Sequence, residues 1–304
     1  MKANFQFLAK FTVCCLFLTL LITGCVTIDS TSVEQFSTGV TAAKSQTQIA
    51  LNGVADRSRE EAITYAVLKN ELNEKIFIET PTPETIEAWD RAFAAVERYS
   101  QSLASLVSPG AAKNFDQAAQ DLAAQFNKTA EHLQTNHIVT ESPQISPGIA
   151  TAFTKVGELL LRAKGQATAR KVAAATHPEI QRIFTLLAEA IGDSHGTPSI
   201  RATDYAIWQV KARDLKPDFL NASSPDAKRQ IVVRYSDILK LRDQQDQSLS
   251  ALRRSLLALA DAHHALAQGN DPSLKASVAI VVAEAKRTRD LHDAFKDKLN
   301  GSNK

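Results

Sequence analysis

Residues 271–299 read DPSLKASVAIVVAEAKRTRDLHDAFKDKL. One stripe of mostly apolar side chains recurs there at alternating intervals of four and three residues, at Leu274, Val278, Val281, Ala285, Thr288, His292, Phe295 and Leu299. These intervals keep the stripe on one helical face, and in coiled coils that face packs between side chains of a neighbouring helix. The stretch therefore predicts a long helix that lies against another helix.

The preceding segment predicts the partner helix. Ser224-Pro225-Asp226 is a typical helix start, with a capping serine and a proline in the first turn. Gly269-Asn270-Asp271-Pro272 turns the chain back. The helix between these points carries a stripe formed by Ile231, Ile238, Leu241, Gln245, Leu249, Leu252, Leu256, Leu259, His263 and Leu266. Its roughly 44 residues would extend about 66 Å, which predicts an elongated, coiled-coil-like C-terminal hairpin.

The rest of the chain is also helical in pattern, because good helix formers dominate and glycine and proline fall mostly between periodic segments. The predicted helices cover about 33–78, 83–107, 108–135, 146–175, 177–191 and 199–220. Thr82 is expected to cap the second helix, with Pro83 in its first turn, and His177-Pro178 is expected to start the fifth. The segments 108–115 and 146–153 match at five of eight positions, which is consistent with a duplicated hairpin or with two similar helix starts. We expect an all-α, elongated up-and-down antiparallel bundle over residues 33–304.

The first 24 residues have the layout of a secretory signal. Lys2 and Lys10 precede an apolar run from Phe11 to Ile22, and small residues follow it. The run of roughly 12 residues is too short to span a bilayer, which takes about 20. Residues 1–24 are therefore predicted to be a cleaved leader, and an uncleaved anchor is disfavoured.

The end of this leader, Ile22-Thr23-Gly24-Cys25, resembles the lipobox of bacterial lipoproteins. The resemblance implies that Ile22, Thr23 and Gly24 form the cleavage-site recognition sequence. It also implies that the Cys25 thiol receives a diacylglycerol and that the new amino terminus is acylated. Residues 25–32 would then be a lipidated tether. A plain secretory signal with an incidental cysteine is the alternative.

The same resemblance predicts a location. In lipoproteins of this kind an aspartate after the cysteine favours the inner membrane, and here that position is Val26. We expect attachment to the outer membrane, facing the periplasm, or to the outer face of a single membrane. The resemblance covers about 25 of the 304 residues and indicates no family for the helical region.

Composition excludes several classes of function. Cys14, Cys15 and Met1 lie in the predicted leader, so Cys25 would carry the only sulfur of the mature chain, which excludes disulfides and cysteine metal sites. Removing Lys2 and Lys10 leaves 33 basic and 33 acidic residues, and nucleic-acid binding requires a basic surplus.

Charge is unevenly distributed along the chain. Residues 25–142 carry 9 basic against 16 acidic residues, and residues 143–304 carry 24 against 17. Two interpretations stay open: the halves pack against each other, or the second half presents a basic surface to anionic lipid, cell wall or an acidic partner.

The first candidates for a metal site are His263 and His264, with Asp261 one turn earlier. A metal site needs three or four converging ligands. In the predicted hairpin His263 faces the region of Ser277 and His292 faces about Ser248, so the histidines of the stripe are expected to lie far apart. We therefore predict no metal and no cofactor, and we interpret these histidines as polar residues that fix helix register.

No catalytic motif is present. The sequence has no hydrolase elbow, phosphate-binding loop, dinucleotide fingerprint or zinc-protease run. The segment from Gly157 to Gly165 lies inside a helical pattern, and Trp89 and Trp208 lie on apolar stripes, where core packing is the simpler role. An enzyme is not expected.

The sequence favours a membrane-anchored lipoprotein with a structural or protein-interaction role and an unidentified envelope partner. A carrier that holds a small molecule or lipid between its helices is one alternative. A membrane-active helical protein is another.

Overall fold

The computed structural model describes residues 28–77, 80–107, 112–135, 145–162 and 168–301. This part of the chain forms an all-α bundle, as predicted, and contains no strand. The helices are α1 (Ser30–Lys69), α2 (Pro83–Val107), α3 (Ala112–Thr135), α4 (Ile145–Arg162), α5 (Ala169–Ile191), α6 (Ile200–Arg213), α7 (Leu215–Asn221), α8 (Pro225–Gln268) and α9 (Asp271–Gly301). A 3₁₀ turn, Glu74–Phe77, follows α1.

Helices α8 and α9 form the predicted antiparallel hairpin. Arg254 of α8 donates two hydrogen bonds to the Glu284 carboxylate of α9, at 2.7 and 2.9 Å. Gly269 closes α8 in the left-handed conformation, at φ 71°, as expected for a glycine at a helix C-terminus. The coiled-coil-like packing of the hairpin remains a prediction.

Helix α1 runs parallel to α9 and antiparallel to α8. Ser32 contacts Asp271, Gly39 lies beside Val278, and Gly53 lies beside His292, so the two helices keep an offset of 239 residues. Gly39 also lies beside Leu259 of α8. The beginning of α1 therefore lies at the α8–α9 turn, which we call the turn end of the bundle, and the opposite end is the far end.

Helices α5, α6 and α7 follow one another along α8, all antiparallel to it. His177 of α5 lies beside His264, Arg201 of α6 beside Asp246, and Phe219 of α7 beside Lys228. These three helices therefore continue in one direction, from the turn end to the far end.

The core is richest in the half of the bundle near the turn end. There α2 packs against α1, α5 packs against α8, and α3 and α4 connect α2 to α5 by packing against each other and against those two helices. Its largest fully buried side chains are Trp89, Tyr99, Phe36, Phe93, Phe126, Phe153, Phe184, Leu51, Leu103, Leu133 and Ile149. Every buried residue of α8 lies at or after Ser248. The first half of α8 has no fully buried residue, although α6 and α7 lie along it and Gln245 donates a hydrogen bond to Ala50 O of α1.

Some helix boundaries differ from the predicted ones. Helix α1 begins at Ser30, inside the predicted tether, because Asp29 caps it by accepting from the Ser32 N–H at 2.7 Å. It ends at Lys69 instead of residue 78, where Asn70 takes the left-handed conformation. Helix α2 has the predicted bounds, and Thr82 caps it as expected.

The predicted helix 146–175 and the predicted helix start at His177-Pro178 are wrong. Helix α4 ends at Arg162 and a new helix begins at Ala169, where the Thr168 side chain accepts from the Lys171 N–H. Pro178 therefore lies inside α5. Of the two matching helix starts, residues 146–148 lie in the first turn of α4, whereas 108–110 lie outside the described residues.

Candidate functional site

Exposed apolar side chains are concentrated at the far end of the bundle. Of the fourteen large hydrophobic side chains that the structure describes as exposed, eleven lie in three far-end segments, and the other three are Leu161, Ile280 and Val282. The eleven are Ile63, Tyr65, Val67, Leu72, Phe77, Val210, Phe219, Leu220, Val232, Val233 and Tyr235. Contiguous exposed apolar surface on a protein usually indicates a binding site.

Part of this surface forms an open groove of about 520 Å³ between α6–α7 and the first half of α8. We call it the far-end groove. It is lined by Gln209, Ala212, Arg213, Leu215, Lys216, Phe219, Ile231, Val232, Tyr235, Leu239 and Arg242. The lining extends over residues 231–242 of α8, which is about 17 Å or three helical turns.

The sequence creates the groove by placing apolar residues on adjacent faces of α8. Ile231, Val232 and Val233 are consecutive, so their side chains point in different directions around the helix. Ile231 is partly covered, whereas Val232 and Val233 are each about half exposed, at 52% and 53%. This run is the signal that sequence reasoning missed, because it considered only the stripe that faces α9.

Charge in the groove has one sign. Its lining contains the cations Arg213, Lys216 and Arg242 and no carboxylate. Arg213 and Lys216 lie on the α6–α7 wall, and Arg242 lies on the α8 wall, where it also stacks on Tyr205 at 4.9 Å. Two of these cations have acidic neighbours outside the lining: Arg242 donates to Asp243 Oδ1 at 2.9 and 2.8 Å, and Arg213 lies 3.9 Å from Asp214 Oδ1. The lining itself is cationic on both walls of an apolar floor.

A polar cluster holds α6 against α8 beside the groove. Arg201 donates to both carboxylate oxygens of Asp246, at 2.6 and 2.8 Å, and His195 Nε2 lies 2.6 Å from the same carboxylate. These contacts hold the pKa of Asp246 below its usual value despite its partial burial. The Asp246 carboxylate thus neutralises the Arg201 guanidinium, and the contacts hold α6 against α8 as one wall of the groove.

A buried ion pair joins α6 to α1 under the far end. Arg57 donates to Asp204 Oδ1 through Nε and Nη2, at 3.2 and 2.9 Å, and both side chains are almost fully buried. Burial lowers the pKa of Arg57 and raises that of Asp204, and the opposite charge of each partner counteracts this effect. Trp208 lies 5.8 Å from the guanidinium and is buried, as predicted.

A chain of hydrogen bonds crosses the core between α2, α5 and α8. The Thr176 hydroxyl lies 2.9 Å from Val172 O, to which it can donate, and 2.6 Å from the Tyr99 hydroxyl. The Tyr99 hydroxyl lies 2.9 Å from His263 Nε2. Both polar groups of the buried pair Tyr99 and His263 therefore have hydrogen-bond partners.

The chain continues to the surface through two more histidines. His263 Nδ1 lies 3.3 Å from His177 Nδ1, and His177 Nε2 lies 2.9 Å from His264 Nδ1. Burial lowers the pKa of His263 to about 3 and also lowers that of His177, with the neighbouring histidines as a second cause. Burial likewise raises the pKa of Tyr99. At neutral pH the chain is therefore uncharged through the core.

This geometry changes the interpretation of the candidate metal ligands. The predicted hairpin pairing placed His263 opposite Ser277. In the structure His263 contacts Tyr99 of α2 and His177 of α5. His177 directs one ring nitrogen to His263 and the other to His264, so the three rings do not converge on a point. Among the residues with a described structure, no group of three or more metal-binding side chains is close enough to hold an ion.

The other residues singled out in the sequence are either buried in helices or outside the described residues. Trp89 is fully buried in α2, and Gly157 lies inside α4 beside Ala123, as a helical pattern requires. Gly165 and the lipobox residues Ile22, Thr23, Gly24 and Cys25 lie outside the described residues. Within the described ranges, no helix combines the length and apolar character needed to cross a bilayer.

Comparison with models of known families, with curated proteins and with solved structures finds no match for this chain.

Proposed function

We propose that this protein is a lipid-anchored, non-catalytic interaction protein of the cell envelope. Fatty chains at Cys25 hold it on the periplasmic side of the outer membrane, and another envelope protein docks in the far-end groove. One observation supports the docking surface above all others: eleven of fourteen described exposed hydrophobic side chains lie at one end of the bundle, and three of them, Phe219, Val232 and Tyr235, line the groove. A patch of this kind on a water-soluble surface is stabilised when a partner covers it.

The anchor is tested by membrane fractionation of cells that express the Cys25→Ser chain. The proposal expects the wild-type chain in the membrane fraction and the variant in the soluble fraction, because the acyl chains supply the attachment. Val26→Asp is the control: it keeps Cys25 and is expected to move the protein to the inner membrane. A Cys25→Ser chain that stays wholly with membranes would overturn the anchor.

The docking surface is tested by affinity isolation from detergent-solubilised envelopes, with two matched variants. Val232 in the groove and Ile280 on α9 are exposed to a similar degree, 52% and 49%. Val232→Asp is expected to abolish recovery of a specific partner, since it places a charge in the apolar contact. Ile280→Asp is expected to leave recovery unchanged. Equal recovery with both variants contradicts docking in the groove.

A carrier of small apolar molecules is the second candidate, because the groove volume of about 520 Å³ falls within the range of ligand pockets. Native mass spectrometry of the purified chain tests it. A bound small molecule or lipid that Val232→Asp removes and Ile280→Asp retains would favour the carrier over the docking surface.

A further inference from the structure

We infer that the far-end groove binds an acidic amphipathic helix of a partner protein, at the end of the bundle remote from the lipid anchor. The inference rests on the proposed function for the position of the anchor. The shape and charge of the groove are independent of it.

The anchor and the groove lie at opposite ends of the molecule. Only Val26 and Thr27 separate Cys25 from Ile28, so Cys25 lies within about 11 Å of Ile28 whatever its conformation. Ile28 is buried, and Ser32 hydrogen-bonds to Asp271 at the α8–α9 turn. The groove begins at Arg242, 26 residues before the end of α8, and extends to Ile231, which places it about 39 to 55 Å from the turn.

The shape of the groove fits a helix. Its two walls are antiparallel helical segments, α6–α7 and the first half of α8, and its floor is apolar over about three turns. An amphipathic helix places its apolar stripe in such a valley and gains most of its binding energy there. The apolar lining comes from both walls, so a rod that lies between the walls contacts both of them at once.

The cations that line the groove favour a partner helix with acidic side chains. Arg213 and Lys216 on one wall and Arg242 on the other would flank the stripe of a bound helix on both sides. Carboxylates beside that stripe would form ion pairs with Lys216 and would share Arg213 and Arg242 with their present neighbours, Asp214 and Asp243, whereas lysines there would be repelled. Residues 205–242, which carry the groove, contain 8 basic and 4 acidic side chains, so the surrounding field has the same sign.

Site-specific photo-crosslinking of the full chain in cells tests this inference. The crosslinking residue replaces Tyr235 in the groove or Val282 on α9, which are exposed to 43% and 44%. We expect a protein adduct at least tenfold more abundant at position 235. The crosslinked peptide, identified by mass spectrometry, is expected to carry apolar residues at intervals of three and four with glutamate or aspartate beside them.

Charge reversal supplies the decisive comparison. Arg213→Glu with Lys216→Glu is expected to reduce the adduct at least tenfold, and carboxylate-to-lysine changes in the identified segment are expected to restore it. Arg229→Glu with Lys240→Glu makes the same change in charge outside the groove lining and is expected to have no effect.

Four results would overturn the inference: no adduct, an adduct unaffected by reversal of the groove charges, a crosslinked segment without carboxylates, or an adduct with the mass of a phospholipid. Failure of the anchor is seen separately, in the fractionation of the Cys25→Ser chain, and leaves the crosslinking result valid.

Discussion

The Ser32 hydroxyl donates a hydrogen bond to Asp271 Oδ1 at 2.7 Å, although the two residues are 239 positions apart in the chain. This contact joins the beginning of α1 to the turn between α8 and α9. The same offset of 239 recurs at Gly39 with Val278 and at Gly53 with His292, so α1 and α9 are parallel over several turns. The start of the described chain is thereby fixed at one end of the bundle, and the apolar groove lies at the other.

The histidine chain predicts a loss of stability in mild acid. An unfolded histidine has a pKa near 6.5, whereas burial lowers the pKa of His263 to about 3. Above pH 6.5 the imidazole is neutral in both states. Between pH 6.5 and 3 only the unfolded chain binds this proton, so the free energy of unfolding falls as pH falls, by about 1.4 kcal/mol per pH unit.

Urea unfolding of the wild type and of His263→Phe at several pH values measures this effect. The titratable groups that face His263 are His177, His264 and Tyr99, and lowering of the His177 pKa adds to the loss in the same direction. We expect the slope of the variant to be shallower by about one proton. Identical slopes would show that His263 does not resist protonation.

Removing the negative charge of Asp204 from its ion pair with Arg57 is expected to destabilise the fold strongly. Asp204→Asn leaves a buried guanidinium without its counter-charge, which is expected to reduce the free energy of unfolding by about 3 to 5 kcal/mol. Glu158→Gln is the control, because it removes the partner of Arg162 in an exposed pair and should cost less than about 1 kcal/mol. Thermal denaturation of both variants compares them, and similar losses would refute the buried role.

Two glycines of one loop should respond differently to alanine. Gly192 has φ +93°, and a Cβ there would overlap the side chain of Ser199, which caps α6 by accepting from the Ala202 N–H. Gly192→Ala should therefore cost about 1 to 3 kcal/mol through backbone strain and loss of the cap. At Gly196 the nearest atom would be 3.9 Å away, so Gly196→Ala should change stability by less than about 0.5 kcal/mol. Calorimetric melting curves of both variants compare their stabilities, and equal losses would contradict the strain at Gly192.

Variants of the groove should leave the fold intact. Val232 and Ile280 are both about half exposed, so Val232→Asp and Ile280→Asp should each change the free energy of unfolding by less than about 0.5 kcal/mol. Chemical denaturation checks this. A large loss in Val232→Asp alone would mean that the groove floor is part of the core, and partner loss in that variant could not be attributed to docking.

The sequence predicted the parts of the fold that depend on local signals. Ser224-Pro225 and Thr82-Pro83 marked helix starts correctly, because a capping side chain and a first-turn proline act within one turn of the helix. His177-Pro178 has a similar appearance but lies inside α5. There, the Thr168 cap and the continuous apolar stripe through Val172, Ile180 and Ile183 outweigh the proline.

The candidate sites depended on contacts between helices, which local pattern does not encode. His177 contacts His263 because α5 lies along α8. The predicted α8–α9 hairpin did not indicate where α5 lies. The far-end groove instead lies between consecutive helices, since Phe219 and Tyr235 line it together because the chain reverses between α7 and α8. The uneven charge of the two halves left a basic surface in the second half as one of two open interpretations.

Mass spectrometry of the amino-terminal peptide of the mature protein tests the lipid anchor most directly. The account predicts a chain that begins at Cys25, with a diacylglycerol on the sulfur and an acyl chain on the amino group. A chain that retains residues 1–24, or one that carries an unmodified Cys25, would contradict it.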